Sequence, residues 1–179
     1  SNLDREVAIK RVLPDDKVGD RDELTANLLR EVKALSAIQH PHIVTIYDCG
    51  VDADGPFVVT EILEGRTMED MVGQGALSWE DFREVVMQTQ EALIAAQDLE
   101  LVHRDLKPGN IMVVQLPSGK FQIKLVDFGL AKFGTTPSLQ SIDHGNAVFG
   151  SIYFMAPEQF ERRPLDQRTD LYAMGSIYY

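Results

Sequence analysis

The short apolar run Val7-Ala8-Ile9 within Glu6-Val7-Ala8-Ile9-Lys10-Arg11-Val12 is rich in β-branched residues and bounded by Pro14-Asp15-Asp16, which predicts a strand ending in a turn. Alternation puts Ala8 and Lys10 on one face and Val7 and Ile9 on the other. Between about Arg21 and Ile38 the period changes: Leu24, Leu28, Val32 and Leu35 recur at helical spacing, and His40-Pro41 closes the element. Two strands are predicted at Ile43 to Tyr47 and Pro56 to Ile62, joined by Asp52-Ala53-Asp54-Gly55, with Leu63-Glu64-Gly65 as a short connection. Ser78-Trp79-Glu80-Asp81 opens a long helix in capping-box style, with Phe82, Val85, Val86, Leu93 and Ala96 as its buried stripe up to about Leu99. Strands at Ile111 to Gln115 and Phe121 to Val126 flank the Pro117-Ser118-Gly119 turn. A stretch rich in Gly, Ser and Thr runs from Phe133 to Gly150, and a loop that long in a compact domain is usually functional or mobile. The pattern turns helical again at Thr169.

Composition narrows the class. The 179 residues carry 17 Lys and Arg against 28 Asp and Glu, a formal charge of −11, which excludes a basic protein that coats nucleic-acid phosphates. Residues 1 to 100 hold 9 basic and 21 acidic side chains and residues 101 to 179 hold 8 and 7, so a polyanion such as a nucleotide phosphate fits the second part better. With Cys49 as the one cysteine there is neither an internal disulfide nor a sulfur cluster for zinc or iron, and a reducing cytoplasm is the expected compartment. No apolar run approaches bilayer length and no secretory leader pattern is present, so no membrane segment is expected.

The chemistry is densest in His103-Arg104-Asp105-Leu106-Lys107-Pro108-Gly109-Asn110, with an acid, two cations, an imidazole and an amide in eight residues. Standing alone it reads equally well as a polar loop after a helix. Further on come Val126-Asp127-Phe128-Gly129 and Met155-Ala156-Pro157-Glu158, and Val7-Ala8-Ile9-Lys10 lies upstream. In order and spacing these four motifs resemble the signature set of the protein kinases, over nearly the whole chain. Lys107-Pro108 and the segment from Gly150 to Gln159 resemble serine/threonine kinases, and Met-Ala-Pro-Glu-Gln resembles bacterial members.

The resemblance implies an α+β, two-lobed kinase-like fold that is incomplete here, with a strand-rich lobe over residues 1–64 and a mainly helical lobe over residues 65–179. It implies ATP and Mg²⁺ as cofactors and phosphoryl transfer to serine or threonine hydroxyls of protein substrates. Such an enzyme mainly positions groups and screens charge. By resemblance, Asp105 orients the substrate hydroxyl, Lys107 stabilises the transferring phosphoryl group, and Asn110 and Asp127 hold magnesium through hard oxygen ligands. Lys10 reaches the α- and β-phosphates. Small Ala8 lets an adenine ring pack, Thr60 stands at the back of the adenine pocket, Glu61 to Leu63 form the hinge, and Met112 is a further nucleotide-binding position.

Glu31 lies three residues after Leu28 and four before Leu35, on the inward helix face, where a lone carboxylate is costly. A pair with Lys10 answers that cost; the two separate if the helix swings out. His103 is expected to stack beneath Phe128 with Leu35, and Asp170 to hold the catalytic-loop backbone. Arg104 resembles an arginine that answers a phosphate on the activation loop, where Thr135, Thr136, Ser138 and Ser141 are the available acceptors. Ser151 is expected to line the substrate hydroxyl.

No glycine-rich GxGxxG precedes Val7, and the late helix carrying the family's partner for Glu158 is not reached. The chain therefore reads as the middle of a kinase domain, weakly active or inactive when isolated and prone to self-association. Two other readings stand beside an active kinase: a non-catalytic kinase-like binding or scaffold module, and a small-molecule phosphotransferase on the same fold. His103-Arg104-Asp105 and Ala156-Pro157-Glu158 count against the latter.

Overall fold

Among the described residues, two three-stranded antiparallel sheets carry the architecture. The computed structural model describes residues 5–11, 21–75, 77–128 and 152–179, without the side chains of 21–24. The first sheet has the order β1-β3-β2, with β1 (Val7–Arg11), β2 (Ile46–Asp52) and β3 (Gly55–Glu61). Register sets Ala8 opposite Thr60 and Lys10 opposite Val58. The Arg11 guanidinium grips Asp52 with two bonds of 2.7 and 2.9 Å, tying β1 to the β2–β3 turn. Helix α1 (Arg21–Ser36) lays Leu28 and Val32 against Val58, with Ile46 and Cys49 at the margin. Leu24 lies outside the described side chains.

The second sheet has the order β4-β5-β6, from β4 (Gly65–Thr67), β5 (Ile111–Gln115) and β6 (Phe121–Leu125). Ile111, Ile123 and Leu125 are fully buried there, in a core shared with Leu35, Val85, Phe128 and Met174. Helix α2 (Met68–Gln74) starts in a capping box: the Thr67 hydroxyl accepts the Asp70 N–H, and the Asp70 carboxylate accepts the Thr67 N–H. Helix α3 (Trp79–Gln97) is capped by Ser78, whose hydroxyl accepts the Asp81 N–H at 3.0 Å. The short α4 (Pro157–Phe160) and the longer α5 (Gln167–Tyr178) complete the described elements.

The outer edge of β6 is covered. Gln88 on α3 accepts the Ile123 N–H at 2.8 Å and donates to the Phe121 carbonyl at 3.5 Å. His42 Nδ1–H donates to the Ile123 carbonyl at 3.1 Å, while Nε2 faces the Glu91 carboxylate at 3.4 Å. The Leu125 N–H donates to the His42 carbonyl, and the Val44 N–H to the Leu125 carbonyl.

Three sequence expectations need correction. The strand expected at Ile43 to Tyr47 starts at Ile46 and runs to Asp52, because Ile43 and Val44 are buried by the approach to Leu125, where Ile43 makes a single parallel bridge. The buried stripe of α3 is Val85, Thr89, Ala92 and Ala96; Phe82, Val86 and Leu93 lie at its edge. Small side chains hold this centre because β6 packs close to the helix. Gly65 opens a strand and not a connection, and a Cβ there would stand 2.4 Å from the Val113 carbonyl oxygen. The long loop from Phe133 to Gly150 lies outside the described residues.

Candidate active site

The segment 103–110 leaves α3 and enters β5, and its backbone is held from several directions. Asp170 on α5 accepts the His103 N–H at 2.7 Å and the Arg104 N–H at 2.9 Å. Burial pushes the Asp170 carboxyl up despite the nearby His103 and Arg104 and those two donors, since a desolvated carboxylate is costly. His103 is completely buried; its ring lies 4.6 Å from that of Phe128, and Nε2 donates to the Val126 carbonyl at 3.0 Å. The expected ring contact of His103 with Phe128 is present, and Leu35 belongs to the same core cluster as Phe128.

Arg104 and Asp127 both have left-handed backbones, at φ 68° and 61°, where side chains other than glycine are disfavoured. Two such residues on the two segments that converge here mark backbone held by its surroundings. The Val126 N–H donates to the Asn110 carbonyl at 3.0 Å, which brings Asp127 alongside Asn110. Asn110 is buried, and its Nδ2 donates to the Asp105 carbonyl at 2.7 Å and to the Asp105 carboxylate at 3.1 Å. Both bonds run through Nδ2, so the Oδ1 oxygen can serve as a hard ligand. The Asp105 carboxylate also meets Lys107 Nζ at 2.9 Å.

Lys10 Nζ lies 2.5 Å from the Asp127 carboxylate, while Glu31 receives the Arg104 guanidinium at 2.8 Å. The Lys10–Glu31 pair expected from the sequence is thus replaced by an exchange of partners. Both acids keep a cation. Arg104, whose backbone N–H is held by Asp170, reaches Glu31 on α1, and Lys10 pairs with Asp127.

Around the predicted adenine pocket, Ala8 and Thr60 are cross-strand neighbours, and the Thr60 hydroxyl donates to the Glu61 carbonyl at 3.1 Å. Met112 sits on β5 between Thr67 and Lys124, and Leu63 is half-buried beyond β3. The Glu61 carboxylate accepts Lys124 Nζ at 2.6 Å and the Thr45 N–H at 2.7 Å. Burial raises this carboxyl, but the Lys124 and Thr45 bonds together outweigh it and hold Glu61 below its ordinary range.

Gly129, Thr135, Thr136, Ser138, Ser141, His144 and Ser151 lie outside the described residues. Glu158 accepts the Thr169 hydroxyl at 2.8 Å. Sequence reasoning missed two contributors, Lys124 and Gln159. Lys124 carried a signal, since a lysine between Ile123 and Leu125 on a buried strand must point to the opposite face and find an acid there. Among the described residues no group of three or more His, Cys, Asp or Glu could hold a metal ion. Asn110 Oδ1 and the Asp127 carboxylate are the oxygen donors here that could hold a magnesium ion, which takes one or two protein ligands and completes its shell with phosphate oxygens and water.

Comparison with known proteins agrees with this geometry. The family model described as "Protein kinase domain" matches residues 1–179. The chain is 35% identical over 178 residues to the serine/threonine-protein kinase PrkC of Bacillus subtilis, covering 99% of this chain and 26% of that protein. It is 33% identical over 178 residues to the serine/threonine-protein kinase pkn2 of Myxococcus xanthus, covering 99% of this chain and 21% of that one. It therefore spans about a quarter of the length of the curated relatives it matches. Among solved structures, Rad53 1-466 in complex with AMP-PNP superposes with a TM-score of 0.69 at 27% identity, over 97% of this chain and 39% of that one. A mutant of the Mycobacterium tuberculosis PknI kinase domain has the same fold, with a TM-score of 0.65 at 24% identity over 86% of this chain and 54% of that one.

Proposed function

This chain belongs to the protein kinase family, and from that premise we propose that its protein transfers the γ-phosphoryl group of ATP to serine or threonine hydroxyls of other proteins. The observation that carries the reading is the convergence of Asp105, Lys107 and Asn110 with Asp127 through two backbone segments with left-handed residues, met by Lys10 from β1.

In this reading Lys10 leaves Asp127 to hold the α- and β-phosphates, and Asp105 accepts a hydrogen bond from the substrate hydroxyl and aligns it for attack. Lys107 faces the charge that develops on the transferring group. Asn110 Oδ1 and the Asp127 carboxylate hold the metal. A magnesium ion there supplies charge neutralisation on the phosphates. Ala8, Thr60, Glu61, Leu63 and Met112 surround the adenine. Glu31 returns to Lys10 when Arg104 releases it. We place the division between lobes at residues 64 and 65 and the protein in the cytoplasm. No described helix is long and apolar enough to cross a membrane. Exposed Ile94, Leu171 and Tyr172 supply apolar surface for self-association, which light scattering over a concentration series tests.

The test of function uses the full-length protein, a Ser/Thr peptide and labelled ATP. Asp105→Asn should cut turnover by roughly 10² to 10⁴, the usual range for a group that handles the reacting proton. Asp127→Asn should weaken magnesium-dependent nucleotide binding more than Asp105→Asn does. Equal activity in the wild type and both variants would refute these roles.

A further inference from the structure

Gln159 directly follows the Ala156-Pro157-Glu158 segment, and both ends of its side-chain amide are engaged. Oε1 accepts the Ala156 N–H at 2.9 Å, and Nε2 donates to the Arg104 carbonyl at 2.8 Å. The first bond closes a cap on α4. The second crosses 55 positions of sequence and lands on the peptide group that Arg104 shares with Asp105.

We propose that Gln159 is a positioning residue for phosphoryl transfer: it fixes the Arg104–Asp105 peptide plane and thereby the direction of the Asp105 carboxylate. The inference rests on the kinase reading for the role of Asp105. Arg104 is left-handed, a conformation that an L side chain adopts only when held. Asp170 holds its N–H and Glu31 holds its guanidinium, but neither touches its carbonyl. On the far side of the same peptide the Asp105 N–H meets His103 Nδ1 at a long 3.4 Å. A peptide unit is planar, so a bond on its oxygen constrains the nitrogen and the Asp105 Cα together.

The other end of the amide is anchored on Ala156, which is fully buried. One side chain thus joins the segment before α4 to the catalytic loop. The position requires an acceptor and a donor on one rigid group. Glutamate turns an acceptor toward the Arg104 carbonyl, and methionine offers neither bond.

The experiment compares full-length wild type with Gln159→Glu and Gln159→Met, by hydrogen exchange of peptides spanning 103–110 and 79–97 and by steady-state kinetics. We expect exchange across 103–110 to accelerate about five- to tenfold, the loss of one partly buried hydrogen bond, with 79–97 unchanged. The same loss should lower kcat by a similar factor while KM for ATP stays within about twofold. Unchanged exchange across 103–110 overturns the proposal whatever the activity. Equal acceleration in 79–97, or a KM for ATP rising as kcat falls, overturns it in favour of a general folding role. Should Gln159→Glu fail to fold, Gln159→Met decides alone. A wild type that transfers no phosphate to serine or threonine refutes the kinase reading, and the exchange data still decide whether Gln159 holds the loop.

Discussion

Replacing Lys124 by methionine tests its pair with Glu61 at the end of β3. The Lys124 and Glu61 side chains are 13% and 20% exposed, so the pair is largely desolvated. Lys124→Met keeps the apolar stem and deletes the charge, leaving Glu61 with the Thr45 N–H and the Ile43 carbonyl without its 3.3 Å donor. Breaking a fully buried pair from one side costs about 3–5 kcal/mol. An exposed pair is worth about 0–1 kcal/mol. Because Glu61 keeps one strong bond and some water, we expect a loss of about 2–3 kcal/mol. At about 2–4 °C per kcal/mol for a chain of this size, the unfolding midpoint should fall by about 4–12 °C. Far-ultraviolet circular dichroism of wild type, Lys124→Met, Glu61→Gln and the double variant reads it. The double variant should regain at least half the loss, since no buried charge is left and glutamine still accepts the Thr45 N–H. In Lys124→Met the Glu61 carboxyl should titrate higher than in wild type, because burial persists after its largest opposing partner has gone. A single variant melting within about 1 °C of wild type, or a double variant melting below the single, would refute the reasoning.

Asp170→Ala leaves two donors of the catalytic loop without their acceptor, at about 1–3 kcal/mol each, partly offset by removing a carboxylate that burial disfavours; denaturant unfolding should register a net loss of about 2–4 kcal/mol. Arg11 holds the Asp52 carboxyl at about 2 against an ordinary 3.8, so its stabilisation is full above about pH 3.8 and disappears as pH falls toward 2. Asp52→Asn should flatten the stability profile in that window and leave its slope above about pH 5 unchanged, as an unfolding midpoint measured against pH would reveal.

The motifs made much of the site legible in the sequence, since Asp105, Asn110 and Asp127 come together through short backbone runs whose residue types are restrictive. Partner choice was not legible. Lys10, Arg104, Glu31 and Asp127 are two cations and two acids that pair in either of two ways, and the selection depends on where α1 stands and on the left-handed turn at Arg104. The start of β2 was misread for a related reason: Ile43 and Val44 are apolar because Leu125 covers them, and burial by a passing strand looks in sequence like membership of one. Gly65-Arg66-Thr67 is too short to alternate, so β4 left no periodic trace. Gln159 gave no signal, because a glutamine after a turn is ordinary until its distant carbonyl is known.

The covered edge of β6 limits how this molecule can assemble. A strand at the margin of a sheet normally offers a ladder on which another chain can grow. Here the Phe121 carbonyl and the outward groups of Ile123 and Leu125 are already occupied by one amide from α3 and by the passing segment 42–44. An incoming strand would have to displace a side chain rooted in a 19-residue helix before forming its first bond. Growth of the sheet therefore stops at this margin, and a second copy that approaches β6 must be met by other surfaces.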